Sequence, residues 1–517
     1  MNEKPADDWP QAGRNTMNYA DFILNQRTYD GNQTVSVYRN EEYTLNDYKT
    51  EVEGILRFFR EQHFQKNRSA MLLLDDSPAC IALFLACILY GIVPVLTTPL
   101  SLDSVLEKGL KTSDATYLFT DEQQERAGFR DRVYMVTIAK DLKKDSLRLV
   151  LKNPDARIPE RFVDAEESAY FLMTSGSSGI PKIVMHNHPA FPDTNQNYAI
   201  DTLHISEKDR IYSVSKMCFG YGLANNLFFS LLNGAAAWLD KEPFTPDRLF
   251  AMLEQFHPTV FFGVPSAYRM ILDELEQHPE QLKRLDSIRI FVSSGEPLNK
   301  KLASDWKNAV GKYLSNNMGS SESSAVLFDP GQEDSFGSAG WPVKGTSIRL
   351  EGPDGNDSDT GVMYFTSKGN FIGYRNNPEA NAATVFDGWF RTGDVFRRDE
   401  NGCYWGLGRE DNMLKYHAMW VSPAEVEQKI LEFGNIRQAV VYKMTVDEHD
   451  LLAASIVPEE GFAGAPALKE FLRSQIELYK CPEQIDILKE FPLNSNGKTD
   501  YPVLKKRIEA MIRENRQ

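Results

Sequence analysis

The chain of 517 residues is longer than one hydrophobic core normally supports, so we expect two or more domains. A hydrophobic content of 42% and a charged content of 25% are typical of globular proteins that fold in water. The net charge of −16 argues against a general nucleic-acid-binding protein, which would be basic, and requires local lysines or arginines to attract an anionic substrate.

The five cysteines are odd in number and scattered, without a C-x-x-C pair. This pattern predicts free thiols in a reducing compartment. The first residues, MNEKPADDWPQAG, are polar and lack the apolar centre of an export signal. We therefore expect a cytoplasmic protein.

Short apolar runs alternate with helical segments through much of the chain. The runs that we interpret as strands read SAMLLLD, TYLFTD, RVYMVTI, AAAWLD, TVFFGV and RIFVSSG. Strands that alternate with helices predict an α/β fold of layered, mainly parallel sheets.

Residues 79–96 carry no charge and are long enough to span a membrane. However, Ser77 followed by Pro78 is typical of a helix start, and Gly91 is typical of a helix end. We therefore predict a buried helix followed by a short buried strand at 92–96, and no membrane partner.

Residues 337–405 are rich in Gly, Asp, Asn and short β-prone runs, which predicts a smaller β subdomain. The pattern changes again after Asp411, where we place the boundary between an N-terminal domain (1–410) and a small, mobile α+β domain (411–517). The elements predicted in the small domain are a helix at 423–433, strands at 437–443 and 450–457, a helix at 467–474 and a C-terminal helix.

One apolar strand leads directly into a loop of small and hydroxyl residues, in the sequence YFLMTSGSSGIPK at 170–182. Glycines let backbone N–H groups close around an anion, and the final lysine adds positive charge. This pattern predicts a phosphate-binding loop.

Other interpretations of this region are disfavoured. Pro181 stands where a Walker loop needs its second glycine, and no G-x-S-x-G elbow surrounds the serines. His186 and His188 lack further ligands at metal spacing, so we interpret them as structural histidines.

The loop TSGSSGIPK at 174–182 resembles the phosphate loop of the adenylate-forming superfamily, which includes acyl-CoA synthetases, adenylation domains of peptide synthetases and luciferases. Further motifs follow in the order of that family and extend the resemblance over nearly the whole chain. They read MGSSE (318–322), GWFRTGD (388–394), GREDNMLK (408–415) and NSNGK (494–498). Within the superfamily, the segments 216–229, 261–268 and 420–427 are most similar to benzoate- and anthranilate-CoA ligases.

The resemblance implies a reaction in two halves. A carboxylate attacks the α-phosphate of ATP, which releases pyrophosphate and leaves an acyl-adenylate, and a thiol then displaces AMP. The first half brings two anions together, so it needs cations and hydrogen-bond donors where charge accumulates. The implied cofactors are ATP, Mg²⁺ and CoA.

The resemblance also assigns roles to residues around the nucleotide. Glu322 corresponds to the magnesium ligand and Ser321 to a contact of the α-phosphate. Asp394 corresponds to the acid that holds the ribose hydroxyls, and Arg409 to an arginine near the ribose and phosphate. Adenine would pack on Ser294, Gly295, Glu296 and Pro297, and the β- and γ-phosphates would be held by Thr174, Ser175, Gly176, Ser177, Ser178, Gly179 and Lys182.

An apolar acyl pocket is predicted from Phe219, Tyr221, Gly222 and Gly263, although aromatic residues are also common in cores. Relatives that act on benzoate often have a histidine where this chain has Ala325. The smaller side chain leaves more room and removes a polar contact. A longer or substituted aryl acid, such as a cinnamate-like acid, is therefore expected in preference to benzoate.

The C-terminal motifs imply a moving domain. Asp411 corresponds to the hinge, and Lys415 and Ala418 to the thiol tunnel, where relatives usually have glycine at the position of Ala418. Lys498 is expected to bridge the carboxylate and the triphosphate in one orientation of the domain.

Three alternatives stay open at this point. The enzyme could pass the acyl group to an acyl carrier protein or another nucleophile, or the chain could be a non-catalytic nucleotide-binding homologue. An ATP hydrolase or kinase would release ADP and phosphate in place of AMP and pyrophosphate. The expected partners are a small carboxylic acid, ATP and CoA, or a carrier protein, with no nucleic acid and a monomeric or homodimeric state.

Overall fold

The structure is a computed structural model, and a few segments are not described by it. The described residues are 18–25, 28–121, 126–139, 148–158, 160–174, 181–416, 419–447, 449–492 and 501–514. They fold into two compact units, one that holds residues up to 347 with 366–390, and one that holds 348–365 with the residues from 391 onward.

The N-terminal half of the first unit alternates strands and helices, as predicted. Its elements are α1 (Tyr19–Asn25), β1 (Thr34–Tyr38), β2 (Glu41–Thr44), α2 (Leu45–Glu61), β3 (Arg68–Leu73), α3 (Pro78–Tyr90), β4 (Ile92–Thr97), α4 (Asp103–Thr112), β5 (Ala115–Asp121), β6 (Tyr134–Ala139), β7 (Arg148–Leu151), β8 (Tyr170–Thr174), β9 (Lys182–His186) and α5 (Ala190–Thr194).

The chain continues with a π-helical turn at Asn195–Ile200 and another at Ala224–Phe228. The regular elements of this part are β10 (Arg210–Ser213), α6 (Gly220–Leu223), α7 (Phe229–Asn233), β11 (Ala236–Leu239), α8 (Pro246–Phe256), β12 (Val260–Gly263), α9 (Pro265–Gln277), β13 (Ile290–Ser294), α10 (Lys300–Val310), β14 (Leu314–Ser320), β15 (Ser323–Asp329) and β16 (Trp341–Pro342).

The remaining elements include the predicted β region and the C-terminal α+β region. They are β17 (Ser347–Glu351), β18 (Thr360–Thr366), β19 (Gly373–Tyr374), α11 (Pro378–Thr384), β20 (Val385–Phe386), β21 (Trp389–Arg398), β22 (Tyr404–Arg409), β23 (Leu414–Tyr416), β24 (Met419–Val421), α12 (Pro423–Glu432), β25 (Ile436–Val446), β26 (His449–Pro458), α13 (Ala465–Gln475), β27 (Gln484–Ile487) and α14 (Tyr501–Glu514).

Two large sheets form the first unit. One has eight strands in the order β19-β9-β8-β4-β3-β5-β6-β7, and the other has nine in the order β16-β15-β14-β13-β12-β10-β11-β1-β2. The central strands of both sheets pair in parallel, and antiparallel strands lie at their edges. The predicted α/β fold of layered, mainly parallel sheets is therefore confirmed.

Helix α3 and strand β4 account for the uncharged segment. Ser77 accepts a hydrogen bond from the backbone N–H of Cys80 at 3.3 Å, and Gly91 ends the helix at a φ of 90°. Every residue from 78 to 88 is buried, and β4 is buried throughout, which confirms the predicted buried helix and strand. None of the described helices is both long and apolar enough to cross a membrane.

The second unit contains the C-terminal elements that the sequence predicts. A three-stranded sheet, β25-β26-β27, packs Val441 and Ala454 against α12 and α13 on one face. On the other face, Tyr442 and Ala453 pack against α14. Successive side chains of a strand point to opposite faces, so one short sheet holds two helical layers. Strand β27 and the β23–β24 hairpin were not predicted.

The division into an N-terminal domain (1–410) and a C-terminal domain (411–517) stays a prediction. Residues 348–365 pack with the C-terminal part of the chain. The hinge at Asp411 concerns motion and stays a prediction. All five cysteines are free, as expected.

Candidate active site

The GSSE motif forms the tip of a hairpin in the second large sheet. Strands β14 and β15 pair antiparallel with Ser320 opposite Ser323, so only Ser321 and Glu322 lie in the turn. The Ser320 hydroxyl accepts a hydrogen bond from the Glu322 N–H at 3.2 Å. This geometry presents the predicted α-phosphate contact and the predicted magnesium ligand side by side.

A tyrosine that the sequence analysis missed holds the Glu322 carboxylate. The Tyr374 hydroxyl donates to Glu322 Oε1 at 2.7 Å, and the Phe371 N–H donates to the Glu322 carbonyl at 2.9 Å. Tyr374 lies on the short edge strand β19, opposite Val184 of β9. An edge strand of one sheet thus orients a carboxylate from the other.

The same tyrosine is close to the predicted phosphate lysine. Lys182 begins β9, opposite Thr174 at the end of β8, so the two strands flank the predicted phosphate loop. The Lys182 ammonium lies 4.9 Å from the centre of the Tyr374 ring, within the range of a cation–π interaction. Residues 175–180, including Ser175, Gly176, Ser177, Ser178 and Gly179, lie outside the described residues.

His186 supports the backbone of the GSSE turn. Its Nε2 lies 2.8 Å from the carbonyl oxygen of Ser321, and because a carbonyl only accepts, Nε2 carries the proton. The ring stacks on Tyr170 at 4.7 Å between centroids. Burial lowers the pKa of His186 to about 4, so the imidazole is neutral at pH 7. The histidine therefore positions Ser321.

His188 also has a structural environment. Its Nδ1 accepts a hydrogen bond from the Tyr19 N–H at 3.2 Å, and its Nε2 lies 3.2 Å from the Ala165 carbonyl. Among the described residues, no group of three or more His, Cys, Asp or Glu side chains is arranged to hold a metal ion.

The predicted adenine segment follows β13 at the carboxyl end of the parallel strands. Ligands of open α/β sheets commonly bind at this edge. The Asn317 amide donates to the Ser294 hydroxyl at 3.2 Å. Gly295 has a φ of +85°, a conformation that disfavours side chains, which explains the glycine in this turn. Glu296 and Pro297 follow directly.

The predicted acyl segment reaches the GSSE turn. A Cβ atom built on Gly220 would lie 4.0 Å from Ser321 Cα, and the neighbouring Phe219 is 57% exposed. A Cβ on Gly222 would lie only 2.2 Å from the Lys216 carbonyl oxygen, so the chain folds back tightly here. Gly220, which follows an exposed aromatic residue, thus lies close to the predicted α-phosphate contact.

The other predicted pocket residues have mixed environments. Tyr221 donates to the Val292 carbonyl at 3.2 Å and packs edge-on against Phe262. Ala325 is buried on β15, three residues after Glu322. The space beside Gly263 is filled by the rings of Phe261 and Tyr268, which also explains this glycine by core packing.

Within the second unit, the two residues predicted at the ribose are cross-strand neighbours. Asp394 of β21 is opposite Arg409 of β22, and Arg409 Nη1 lies 3.0 Å from Asp394 Oδ1. Arg409 also donates to the Thr392 carbonyl at 2.9 Å and crosses Gly393, where a Cβ would lie 3.0 Å from its guanidinium. Arg409 therefore orients the Asp394 carboxylate.

The predicted hinge and tunnel residues follow in the chain. Asp411 lies in a short 3-10 turn, and Lys415 lies on β23, with its ammonium 4.7 Å from the centre of the Trp420 ring. Ala418 and Lys498 lie outside the described residues.

Two family profiles match this chain. The profile described as AMP-binding enzyme matches residues 25–375, and the AMP-binding enzyme C-terminal domain matches residues 425–498. The chain belongs to the AMP-binding enzyme family. It is therefore an adenylate-forming enzyme, as the motifs predicted.

Characterised relatives are similar over most of the chain. The anthranilate–CoA ligase of Pseudomonas aeruginosa is 30% identical over 86% of this chain and 88% of its own length. The benzoate–CoA ligase of Thauera aromatica is 30% identical over 84% of each chain. Among solved structures, a benzoate CoA ligase from Burkholderia xenovorans superposes with a TM-score of 0.71 at 26% identity, covering 95% of this chain and 100% of the other.

Proposed function

We propose that this protein is an aryl-acid:CoA ligase. It activates an aromatic carboxylic acid with ATP to an acyl-adenylate and then transfers the acyl group to CoA in the cytoplasm. The observation that carries the proposal is the arrangement at the GSSE turn, where Tyr374 holds Glu322 and Gly220, the neighbour of the exposed Phe219, lies close to Ser321. Similarity to ligases named for anthranilate and benzoate supports the aromatic substrate.

The environment of Glu322 fits a magnesium ligand. Its side chain is half-buried at a turn, one oxygen accepts from Tyr374, and in the described part of the chain it forms no ion pair with lysine or arginine. Mg²⁺ takes few protein carboxylates where phosphate oxygens and water complete its shell. When bound, the ion neutralises phosphate charge that develops as pyrophosphate leaves.

The remaining groups hold the reactants. Lys182 binds the phosphates, and its proximity to Tyr374 limits the positions that its ammonium can take. Ser321, fixed through its carbonyl by His186, offers its hydroxyl to the α-phosphate. Asp394 holds the ribose, and Arg409 orients that carboxylate. Lys498 bridges the acid and the triphosphate, which favours the transition state because both charges converge there.

The acceptor of the second half defines the alternative function. Ala418 replaces the glycine usual in CoA-dependent relatives, and one methyl group narrows the path of the pantetheine arm. An acyl-AMP ligase that transfers the acyl group to a carrier protein or another nucleophile would use the same residues to form the acyl-adenylate.

A carboxylic-acid panel tests the proposal. Benzoate, hydroxybenzoates, anthranilate and cinnamates are scored by ATP–pyrophosphate exchange, and the active acids are then supplied with CoA or with a holo carrier protein. We expect acid-dependent exchange, strongest with extended or substituted aryl acids because Ala325 is small, and release of AMP with formation of the CoA thioester. Release of ADP and phosphate, or exchange with aliphatic acids only, would contradict the proposal. The Glu322→Gln variant serves as the control for adventitious exchange.

A further inference from the structure

Asp76 is a buried acid to which the proposed reaction assigns no role. It lies between β3 and the N-cap residue of α3 and is only 5% exposed. No lysine or arginine in the described ranges forms an ion pair with it, and its burial raises its pKa to about 7. Hydrogen bonds therefore hold this side chain.

Its partners come from a distant part of the chain. Both carboxyl oxygens accept from the Met217 N–H, at 3.0 and 3.1 Å, and Oδ2 accepts from the Asn226 amide at 3.3 Å. Met217 is 141 residues from Asp76, and Asn226 is 150 residues from it. An acid at the carboxyl end of a strand in the first sheet thus tethers the segment that follows β10 of the second sheet.

The tethered segment, residues 215–226, is confined at other points as well. The Lys216 ammonium donates to the carbonyls of Asp240 and Glu242. The close approach of Gly222 to the Lys216 carbonyl leaves no room for a side chain. The segment then enters the π-helical turn at Ala224–Phe228, an irregularity that is frequent at functional sites.

The middle of this segment borders the GSSE turn. A Cβ atom built on Gly220 would lie 3.1 Å from Leu172 Cδ1 and 4.0 Å from Ser321 Cα, and the neighbouring Phe219 is exposed. Because Met217 lies two residues before Phe219, a change in the backbone at Met217 would also move Phe219 and Gly220 relative to the GSSE turn. Without the Asp76 carboxyl, the Met217 N–H would be buried without an acceptor, and the Asn226 amide would keep only the Ser215 carbonyl at 3.4 Å. The segment can relieve this loss by shifting.

We propose that Asp76 is a positioning residue that determines which aryl acids are accepted, because it fixes segment 215–226 against the GSSE turn. This inference rests on the proposed function, since it assumes that the segment lines the acid pocket.

The variants Asp76→Ala and Asp76→Asn test the proposal. Alanine removes both acceptor oxygens of Asp76, whereas asparagine keeps the shape of the side chain and one acceptor oxygen for the Met217 N–H. Asp209→Asn is the matched control, because Asp209 is also 5% exposed but lies at the amino end of β10, where it binds Thr259 and Arg289. KM and kcat are measured for each acid of the panel, together with KM for ATP and the melting temperature.

We expect Asp76→Ala to raise KM for the preferred acid about tenfold and to change the order of specificity across the panel. In the same variant, KM for ATP should stay within about twofold of the wild-type value. Asp76→Asn should restore the wild-type order of specificity, because it restores an acceptor for the Met217 N–H. If Asp76→Ala does not fold, Asn226→Ala replaces it as the test, because it removes one of the hydrogen bonds to Asp76. We expect Asn226→Ala to change the order of specificity in the same direction but less strongly. Asp209→Asn should keep the wild-type order.

A uniform fall of kcat for all acids, with KM and the order unchanged, would overturn the inference. The same reordering in the Asp209 control would also overturn it. A wild-type enzyme that exchanges pyrophosphate normally, with Asp76 variants that keep its order, would refute the inference alone. A wild-type enzyme without acid-dependent exchange would refute the proposed function as well.

Discussion

At the scale of single residues, Tyr374 and His186 explain how the polar groups of the GSSE turn are oriented. Tyr374 holds the carboxylate of Glu322, and His186 holds the carbonyl of Ser321, so two adjacent residues are fixed by partners from another sheet. Both partners act through neutral groups. They orient Ser321 and Glu322 without adding charge of their own.

The variant Tyr374→Phe isolates the hydroxyl, since the ring beside Lys182 remains. A hydrogen bond to a charged group contributes about 1.5–3 kcal/mol, so we expect acid-dependent exchange to fall about tenfold or more and to need a higher Mg²⁺ concentration. Exchange measured against Mg²⁺ checks this result. In a Glu322→Gln background the same change should have little further effect, and an undiminished tenfold loss there would contradict the proposed contact.

The pKa of Asp76 predicts a pH dependence of stability. Burial raises this pKa to about 7. The charge of Lys216 and the hydrogen bonds from Met217 and Asn226 oppose the increase, and the charge of Asp75 adds to it. The folded state therefore favours the protonated acid, and the stability contributed by this group is complete below its unfolded pKa of about 4 and is lost as the pH rises towards 7. The difference in free energy of unfolding between Asp76→Asn and the wild type should increase over this interval.

Denaturant unfolding at a series of pH values measures this difference. Asp209→Asn is again the control, because the pKa of Asp209 is lowered: burial opposes ionisation there, but Arg289 and hydrogen bonds outweigh it. A difference that stays constant between pH 4 and 7 for Asp76→Asn would show that the acid is not held in its neutral form.

At the scale of elements, the glycines at positions 222 and 54 have opposite effects on stability. Gly222 follows a chain reversal in which its missing side chain is required, whereas Gly54 lies on the exposed side of α2, where an added Cβ would have no atom within 4 Å. Gly54 contributes no side-chain packing to the helix, and a glycine loses more conformational entropy on folding than any other residue.

Paired alanine substitutions at these glycines should therefore diverge. Gly54→Ala should raise the free energy of unfolding by about 0.5–1 kcal/mol and leave exchange unchanged. Gly222→Ala should lower stability and raise KM for the acid, because its methyl group would collide with the Lys216 carbonyl. Thermal melts and exchange assays compare the two, and equal behaviour of both variants would contradict this account of the segment.

At the scale of the whole molecule, the two compact units each carry part of the predicted machinery. The phosphate-loop strands, the GSSE turn and the acyl segment belong to the first unit, and Asp394, Arg409 and Lys415 belong to the second. The predicted movement of the C-terminal domain would present different residues in each half of the reaction.

The Lys498→Ala variant tests that division. We expect it to nearly abolish adenylate formation from acid and ATP, because the bridge between the two anions is lost. When the variant is supplied with pre-made acyl-adenylate and CoA, it should form thioester at a rate near that of the wild type. Single-turnover measurements of each half check this expectation, and a parallel loss of both halves would contradict the role of one lysine in one step.

The sequence by itself determined the features that depend on neighbouring residues. The ends of α3 follow from Ser77, Pro78 and Gly91, and the strand before the predicted phosphate loop follows from a local apolar run. The order of the motifs identified the superfamily. These signals are local because helix caps, turns and strand patterns involve residues only a few positions apart.

Only the tertiary structure decided which distant residues support the site. Tyr374 is 52 positions from Glu322, His186 is 135 from Ser321, and Asp76 is 141 from Met217. Each pair meets through strand register and the packing of two sheets, which no local pattern encodes. A lone tyrosine, histidine or aspartate has many possible environments, and the fold selects one of them by bringing a distant partner within hydrogen-bonding distance.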